Sequence, residues 1–403
     1  MKFGVQFQLQ TPRPYDAETW GPDDEARIFA QALEQIEHAD RLGFDYVFLT
    51  EHHFLEEYCH SAAPEVVLAA AAARTKQIRL GHGIIQMPPA INHPARVAER
   101  IASLDIVSGG RVEFGTGEGA TETEIGGFGV QRADKKEAWE EATRECLRMM
   151  VTHPYPGYEG VHFSMPERNI VPKPLQRPHP PVWVAASRRE TVMLAARMGI
   201  GAMGFGFETP EEAEERVLRY YELIRACRRP LGKTINPALM TLGNMLCAPT
   251  DEEAVEKGLR GAQYFGYVFG WMHGHLNPGR DNIYRDFRRK QDAATATLEA
   301  QDTAVALEPE DESARALYRM GRRGMFMGSP AYIRENIRAY EAAHVDVLLF
   351  LSQCGDRRHE DIMESLELFA KEVMPEFKER HHLQQRWRDE QLDGVQHPIA
   401  SSV

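Results

Sequence analysis

The chain has 403 residues, 43% apolar and 27% charged, with 47 basic against 60 acidic side chains and a net charge of -13. This is ordinary globular composition and excludes a fibrous or wholly disordered chain. The acidic balance argues against nucleic acid as the main partner, since a phosphate backbone needs basic surface. No apolar run approaches the roughly 18 residues of a membrane span. Met1-Lys2-Phe3-Gly4-Val5 opens like a strand and not like a signal peptide. Cys59, Cys146, Cys227, Cys247 and Cys354 form no Cys-x-x-Cys pair, and are expected as free thiols in a reducing cytoplasm.

Strand and helix then alternate along the chain. Phe3–Leu9 reads as a first strand, followed by a helix from Asp23-Asp24 to Leu42 with Ile28, Leu33, Ile36 and Ala39 on one face, stopped by Gly43. Phe44–Leu49 is a second strand, and Pro64 begins an Ala-rich helix. Ile78–Ile85 is a third strand, and His93-Pro94 starts the helix that ends near Ser108-Gly109-Gly110. Arg111–Gly115 is a fourth strand, with a helix over Asp134–Met150. Val182–Ala185 is a fifth, followed by the helix Arg189–Met198. Ile200–Phe207 is a sixth, and Thr209-Pro210-Glu211-Glu212 has the form of a helix start. Leu239–Leu246 and Asp346–Ser352 are the seventh and eighth, each with a helix after it.

Eight strand–helix units predict an α/β fold of the (β/α)8 TIM-barrel kind, which stays one domain even at this length. A doubly wound sheet with a second domain is the alternative. The expected barrel domain is 1–380, with a tail at 381–403 that forms a peripheral helix and then disorder, or a subunit contact. Two stretches break the rhythm. A Pro- and Gly-rich loop covers about 153–181. An insertion at about 262–328, between strands seven and eight, begins Gln263-Tyr264-Phe265-Gly266-Tyr267 and reads as an active-site lid. Its Tyr264, Phe265, Tyr267 and Trp271, with Met325 and Met327, either face an apolar or aromatic ligand or pack the insertion's own core.

Chemistry in such a barrel sits past the C-terminal ends of the strands. After strand two comes Glu51-His52-His53-Phe54, of which strand alternation lets one imidazole face the axis. That histidine suits proton transfer or a hydrogen bond to an anionic intermediate; a packed structural histidine is the alternative. Metal is disfavoured: strand one ends Gln6-Phe7-Gln8-Leu9-Gln10 without an imidazole, and His273-Gly274-His275 has no third ligand beside it. Gly115-x-Gly117-x-Gly119 is either a plain turn or a place for a flat ligand to approach backbone; as a dinucleotide fingerprint it is weak. Ser187-Arg188-Arg189 at a helix start is either a phosphate cradle or a simple cap.

Together these segments resemble one family. Met1-Lys2-Phe3-Gly4, Gly43-Phe44-Asp45-Tyr46-Val47 running into Glu51-His52-His53-Phe54, Ile78-Arg79-Leu80-Gly81, and His93-Pro94-x-Arg96-x-Ala98-Glu99 are similar to the bacterial luciferase-like flavin-dependent monooxygenases. Ser108-Gly109-Gly110-Arg111 and the run from Gly328-Ser329-Pro330 to Phe350 extend the likeness over about 1–375. The resemblance implies a barrel that binds reduced FMN, supplied by a separate flavin reductase, and uses O2 on a small organic substrate. It implies a catalytic role for His52. It implies cofactor contacts at Gly83 and Ile84, where relatives often carry a non-prolyl cis peptide, at Gly117 and Glu118, and at Ala186, Ser187, Arg188 and Thr191. Dimerisation through helices two and three is also implied. Luciferase itself has an arginine where this chain has Glu118 and an acid where it has Ala186, which argues against light emission and leaves Arg188 or Arg189 to meet the phosphate. Hydride transfer with F420, and flavin binding without turnover, are the alternatives.

Overall fold

The computed structural model describes residues 1–205, 210–274, 282–300 and 325–400. Among them, eight parallel strands close into a barrel: β1 (Lys2–Phe7), β2 (Tyr46–Leu49), β3 (Arg79–His82), β4 (Val112–Gly117), β5 (Val182–Ala185), β6 (Gly201–Phe205), β7 (Leu239–Cys247) and β8 (Val347–Leu351). Each pairs with the next, and the ring closes with Lys2 opposite Val347. The fold is the expected (β/α)8 barrel, and a doubly wound sheet is excluded by that closure. The third expected strand is divided at Gly83-Ile84 into β3 and the short strand Ile85–Gln86. The sixth is described only to Phe205, so its expected last residues and Thr209 lie outside the described residues.

The alternation of β1 shows how sequence sets the layers. Phe3, Val5, Phe7 and Leu9 pack outward with Ile36, Ala39 and Phe369 of the surrounding helices. A Cβ on Gly4 would instead meet Leu349 and Tyr46 inside the barrel, at 2.8 Å each. Even positions of β1 therefore face inward, and Gln6 and Gln8 follow that register. The outward layer is the main hydrophobic core, where each fully buried large side chain contributes about 1.5–3 kcal/mol. Inside, Tyr46, Phe48, Trp183, Met240, Leu242 and Leu349 fill the barrel. Lower down, Arg79 pairs with the buried Glu113, which also accepts from Trp183 Nε1 at 2.6 Å.

Helix Asp24–Leu42 buries Ala32, Ile36 and Ala39, three and four residues apart, as a 3.6-residue period requires. The same face carries Asp40, whose carboxylate accepts from the backbone N–H of Lys76, Gln77 and Ile78 at 2.9, 2.9 and 2.7 Å. Burial alone would raise its pKa; the three backbone donors outweigh it and lower the pKa.

The tail folds back on the N-terminal end of the barrel. Helix His381–Gln391 lays Trp387 flat on His344, with ring centroids 4.0 Å apart. Arg388 Nε donates to Pro237 O at 3.2 Å, and residues 398–400 bond to Ile235. The helix after β7, Asp251–Gly274, runs into the insertion, which adds helix Ile283–Ala300 and the strand Met325–Gly328; 275–281 and 301–324 lie outside the described residues. That strand pairs with the end of β7, and Met327 packs with Leu246, Ala248 and Ala254. Of the two alternatives for Met327, packing is the one observed: it lies on the same side of the sheet as its register partner Leu246, opposite Phe326, which packs in the outer core.

His82 is buried on β3, and neither ring nitrogen has a partner among the described residues. Burial lowers its pKa to about 4. A histidine of the unfolded chain protonates near pH 6.5, so between about pH 6.5 and 4 the unfolded state takes up a proton that the folded state refuses. Stability is therefore lost as pH falls through that window, by up to about 3 kcal/mol for this group. His381, also lowered to about 4 by burial, adds to the same slope. Urea melts of His82→Leu across pH 7 to 4 should show a distinctly flatter loss than wild type; an unchanged slope would assign the acid sensitivity elsewhere.

Candidate active site

Loops after β2, β3 and β4 converge on one carboxylate. Thr121 caps the short helix Glu122–Gly127 by accepting from Glu124 N, and Glu124 stands at its third position, fully buried. Glu124 Oε1 is 2.9 Å from His52 Nδ1, 3.1 Å from His53 N and 2.7 Å from Gln86 Nε2. Its Oε2 accepts from the Thr121 hydroxyl at 2.9 Å. Burial would raise its pKa, but the charge and hydrogen bond of His52, with the Thr121 and His53 donors, outweigh burial and hold it at about 2. An ionised carboxylate only accepts, so Nδ1 of His52 carries a proton. Nothing among the described residues bonds its Nε2, which is left for a ligand.

His53 has a carboxylate of its own. Its Nε2 lies 2.9 Å from Glu51 Oε1, which Asn92 Nδ2 also reaches at 2.7 Å. The expectation that strand alternation chooses between the two imidazoles does not apply, because β2 ends at Leu49 and both histidines sit on the loop. The different acids that hold them make the choice.

Gly83-Ile84 is a cis peptide, the conformation that the resemblance implies. Both residues are half-buried between fully buried neighbours, so this stretch surfaces at the mouth. It lies close on β4: a Cβ on Gly115 would stand 1.8 Å from His82 O, and one on Gly117 would stand 2.6 Å from Ile84 Cδ1. Only glycine permits that approach.

Glu118, next along, pairs with Lys135 at 3.0 Å, and Lys135 Nζ also donates to Gly119 O at 2.8 Å. Just past the neighbouring strand β5, Ala186 is buried, with its N–H bonded to Met203 O at 2.8 Å. Ser187 and Arg188 are exposed before helix Arg189–Arg197, and Thr191 is half-buried in its first turn. Arg189 is engaged by Glu215. Of the two arginines expected at a phosphate, Arg188 is the one without an ion pair among the described residues.

The barrel order thus brings His52, Gly83, Ile84, Gly117 and Glu118 around adjacent strand ends, with Ala186, Ser187, Arg188 and Thr191 on the next. The side chains of His273 and His275 lie outside the described residues. Sequence reading missed Glu124, Gln86 and Lys135. One signal was present for Glu124: Thr121-x-x-Glu124 has the spacing of a helix capping box.

Comparison with known proteins agrees with the fold. The model of the luciferase-like monooxygenases matches residues 1–347. An uncharacterised protein of Sinorhizobium fredii is 38% identical over 174 residues, 43% of this chain, and the match spans half of that protein's own length. The oxygenase component of the flavin-dependent trigonelline monooxygenase of Acinetobacter baylyi is 25% identical over 88% of this chain and 91% of its own. A Pseudomonas putida type II Baeyer-Villiger monooxygenase, solved with FMN, superposes with a TM-score of 0.66 at 21% identity, over 93% of this chain and 98% of its own, and shares the fold. F420-dependent enzymes also align on the same barrel. With its model matched over most of the length, this chain belongs to the luciferase-like monooxygenase family of oxidoreductases.

Proposed function

We propose that the protein is the oxygenase component of a two-component monooxygenase, which takes reduced FMN from a separate reductase and transfers oxygen to a small apolar or aromatic substrate. The observation that carries this reading is His52, fixed at Nδ1 by the ionised Glu124 and open at Nε2, beside a floor of half-buried backbone. The residues present fit the cofactor. Gly83 and Ile84 present half-buried backbone at the mouth, a surface that suits a flat ring. Ser187, Arg188 and the start of helix Arg189–Arg197 suit a phosphate, and Lys135 offsets the charge of Glu118. Reduced flavin supplies the electrons that activate oxygen.

In this reading His52 Nε2 exchanges a proton with the reacting oxygen, and Glu124 fixes the ring's orientation and stabilises its charged form. Water must be kept out. The insertion acts as the lid: the loop after β2 holds it through the buried Glu57, which accepts from Tyr264 Oη at 2.8 Å and from the backbone N–H of Ile283 and Tyr284 at 2.8 and 3.0 Å. A homodimer through helices Pro64–Arg74 and Pro94–Val107 is supported by the exposed Val66, Ile106 and Val107.

The test is steady turnover with FMN, NADH and a generic flavin reductase over a panel of aromatic and terpenoid compounds. Absence of FMN binding, or binding of F420 in its place, would overturn the reading. His52→Ala should lower turnover by about 10²–10⁴-fold with FMN affinity retained. Arg188→Ala combined with Ser187→Ala should weaken FMN about tenfold or more, measured by flavin fluorescence, with riboflavin unaffected because it lacks the phosphate. Val107→Asp should shift the protein from dimer to monomer in sedimentation.

A further inference from the structure

Strand one ends Gln6-Phe7-Gln8-Leu9-Gln10, and the flavin reading makes no use of it. Gln8 is the first residue past β1, on the inward register, and is buried. Its Nε2 donates to Tyr58 Oη at 3.2 Å, and its Oε1 has no partner. The phenol, also buried, accepts that bond and keeps its own proton free among the described residues. If the amide is turned over, the phenol donates to it and Nε2 becomes the open atom. Either way the pair presents one open donor and one open acceptor. Leaving these unmet in a buried place costs enough to call for a ligand.

The surroundings say what kind. The Tyr58 ring meets His52 edge-on at 5.2 Å and stacks on Phe265 of the insertion at 5.8 Å. The open pair thus lies between the proton-carrying imidazole and an apolar wall. Two buried arginines beside this pair are engaged: Arg13 by Glu56 and Glu57, and Arg357 by the carbonyls of Gly258, Met245, Leu351 and Ser352. An anion would face Glu57 and Glu124 with neither arginine to receive it. Ser352 and Gln10, buried with one unpartnered atom each, add neutral polarity and no charge.

We infer that Gln8 and Tyr58 form a head-group subsite that selects substrates bearing a neutral oxygen function, a hydroxyl or a carbonyl, on an apolar or aromatic body. A hydroxyl meets both open atoms; a carbonyl uses the donor. This deepens, and rests on, the monooxygenase reading for its role in turnover, while the binding itself can be read without flavin.

Calorimetric titration of the full chain, with and without oxidised FMN, against 2-naphthol, naphthalene and 2-naphthoate tests it. The naphthol should bind about tenfold tighter than naphthalene, the effect of one satisfied buried polar pair, and the naphthoate weaker than the naphthol. Gln8→Leu and Tyr58→Phe should each bring the naphthol to the level of naphthalene, with naphthalene and FMN affinities unchanged. Tyr58→Phe removes a single oxygen, so it reads the subsite even if Gln8→Leu fails to fold. No preference for the naphthol in wild type, a preference that survives Tyr58→Phe, or strongest binding of the naphthoate overturns the subsite. Naphthol selectivity in a protein that binds no FMN supports the subsite and sinks the proposed function.

Discussion

The carboxylate of Glu124 is the constraint on which the mouth of the barrel depends. A buried ionised acid is tolerable only when its oxygens are met by donors. Here the donors come from three separate places: His52 and His53 N from the loop after β2, Gln86 from the short strand after β3, and Thr121 from its own helix start. The loop after β2 also packs through Leu55, Tyr58 and Cys59, but the polar ends of all three segments meet at this acid. One charge therefore ties three strand ends, and the direction of the His52 imidazole follows from its bond to that acid.

Glu57 plays the matching part on the other side of the same loop. It accepts from Arg13 N, Tyr264 Oη, Ile283 N and Tyr284 N, and so joins the segment after β1 to both described helices of the insertion. Its backbone lies at φ 57, and Phe54, three residues before it, lies at φ 63. Left-handed conformations at bulky residues persist where the surroundings over-determine them. The two acids are the over-determining groups: between Glu51 and Glu57 the chain is held at both ends by carboxylates, and the loop has little freedom to relax.

Much of the fold was legible because it rests on local pattern. Val182–Ala185 falls where its run of apolar residues stands, and Asp24–Leu42 runs from its acids to Gly43 because capping and period are local signals. His52 was legible from its place past a strand. Glu124 was not, since it lies 72 residues further on and a capping-box reading gives its side chain a different, local task. The helix does begin at Thr121, but the glutamate turns to the histidine, which offers a stronger, charge-assisted bond. Met327 could not be decided for the same reason: its strand pairs with β7 through 80 intervening residues, and nothing local reveals that partner. The tail was expected as a peripheral helix and then disorder, or a subunit contact; the helix stands at His381–Gln391, and Trp387 and Arg388, which hardly alter the segment's composition, tie it to the barrel.

The net charge of -13 bears on the site in a way that composition alone does not reveal. Any anion at the mouth of so acidic a barrel requires that the nearby carboxylates be neutralised. The site does this by pairing. Glu118 is matched by Lys135, Glu51 by His53 and Asn92, and Glu124 by His52, each at 3.0 Å or closer. Arg189 is lost to Glu215, which leaves Arg188 with the helix start as the local positive end. Because the field of the paired charges falls off steeply, an anion at Ser187 meets mainly the N–H groups and guanidinium nearest to it. Overall charge is therefore a poor guide to the local field at this helix start.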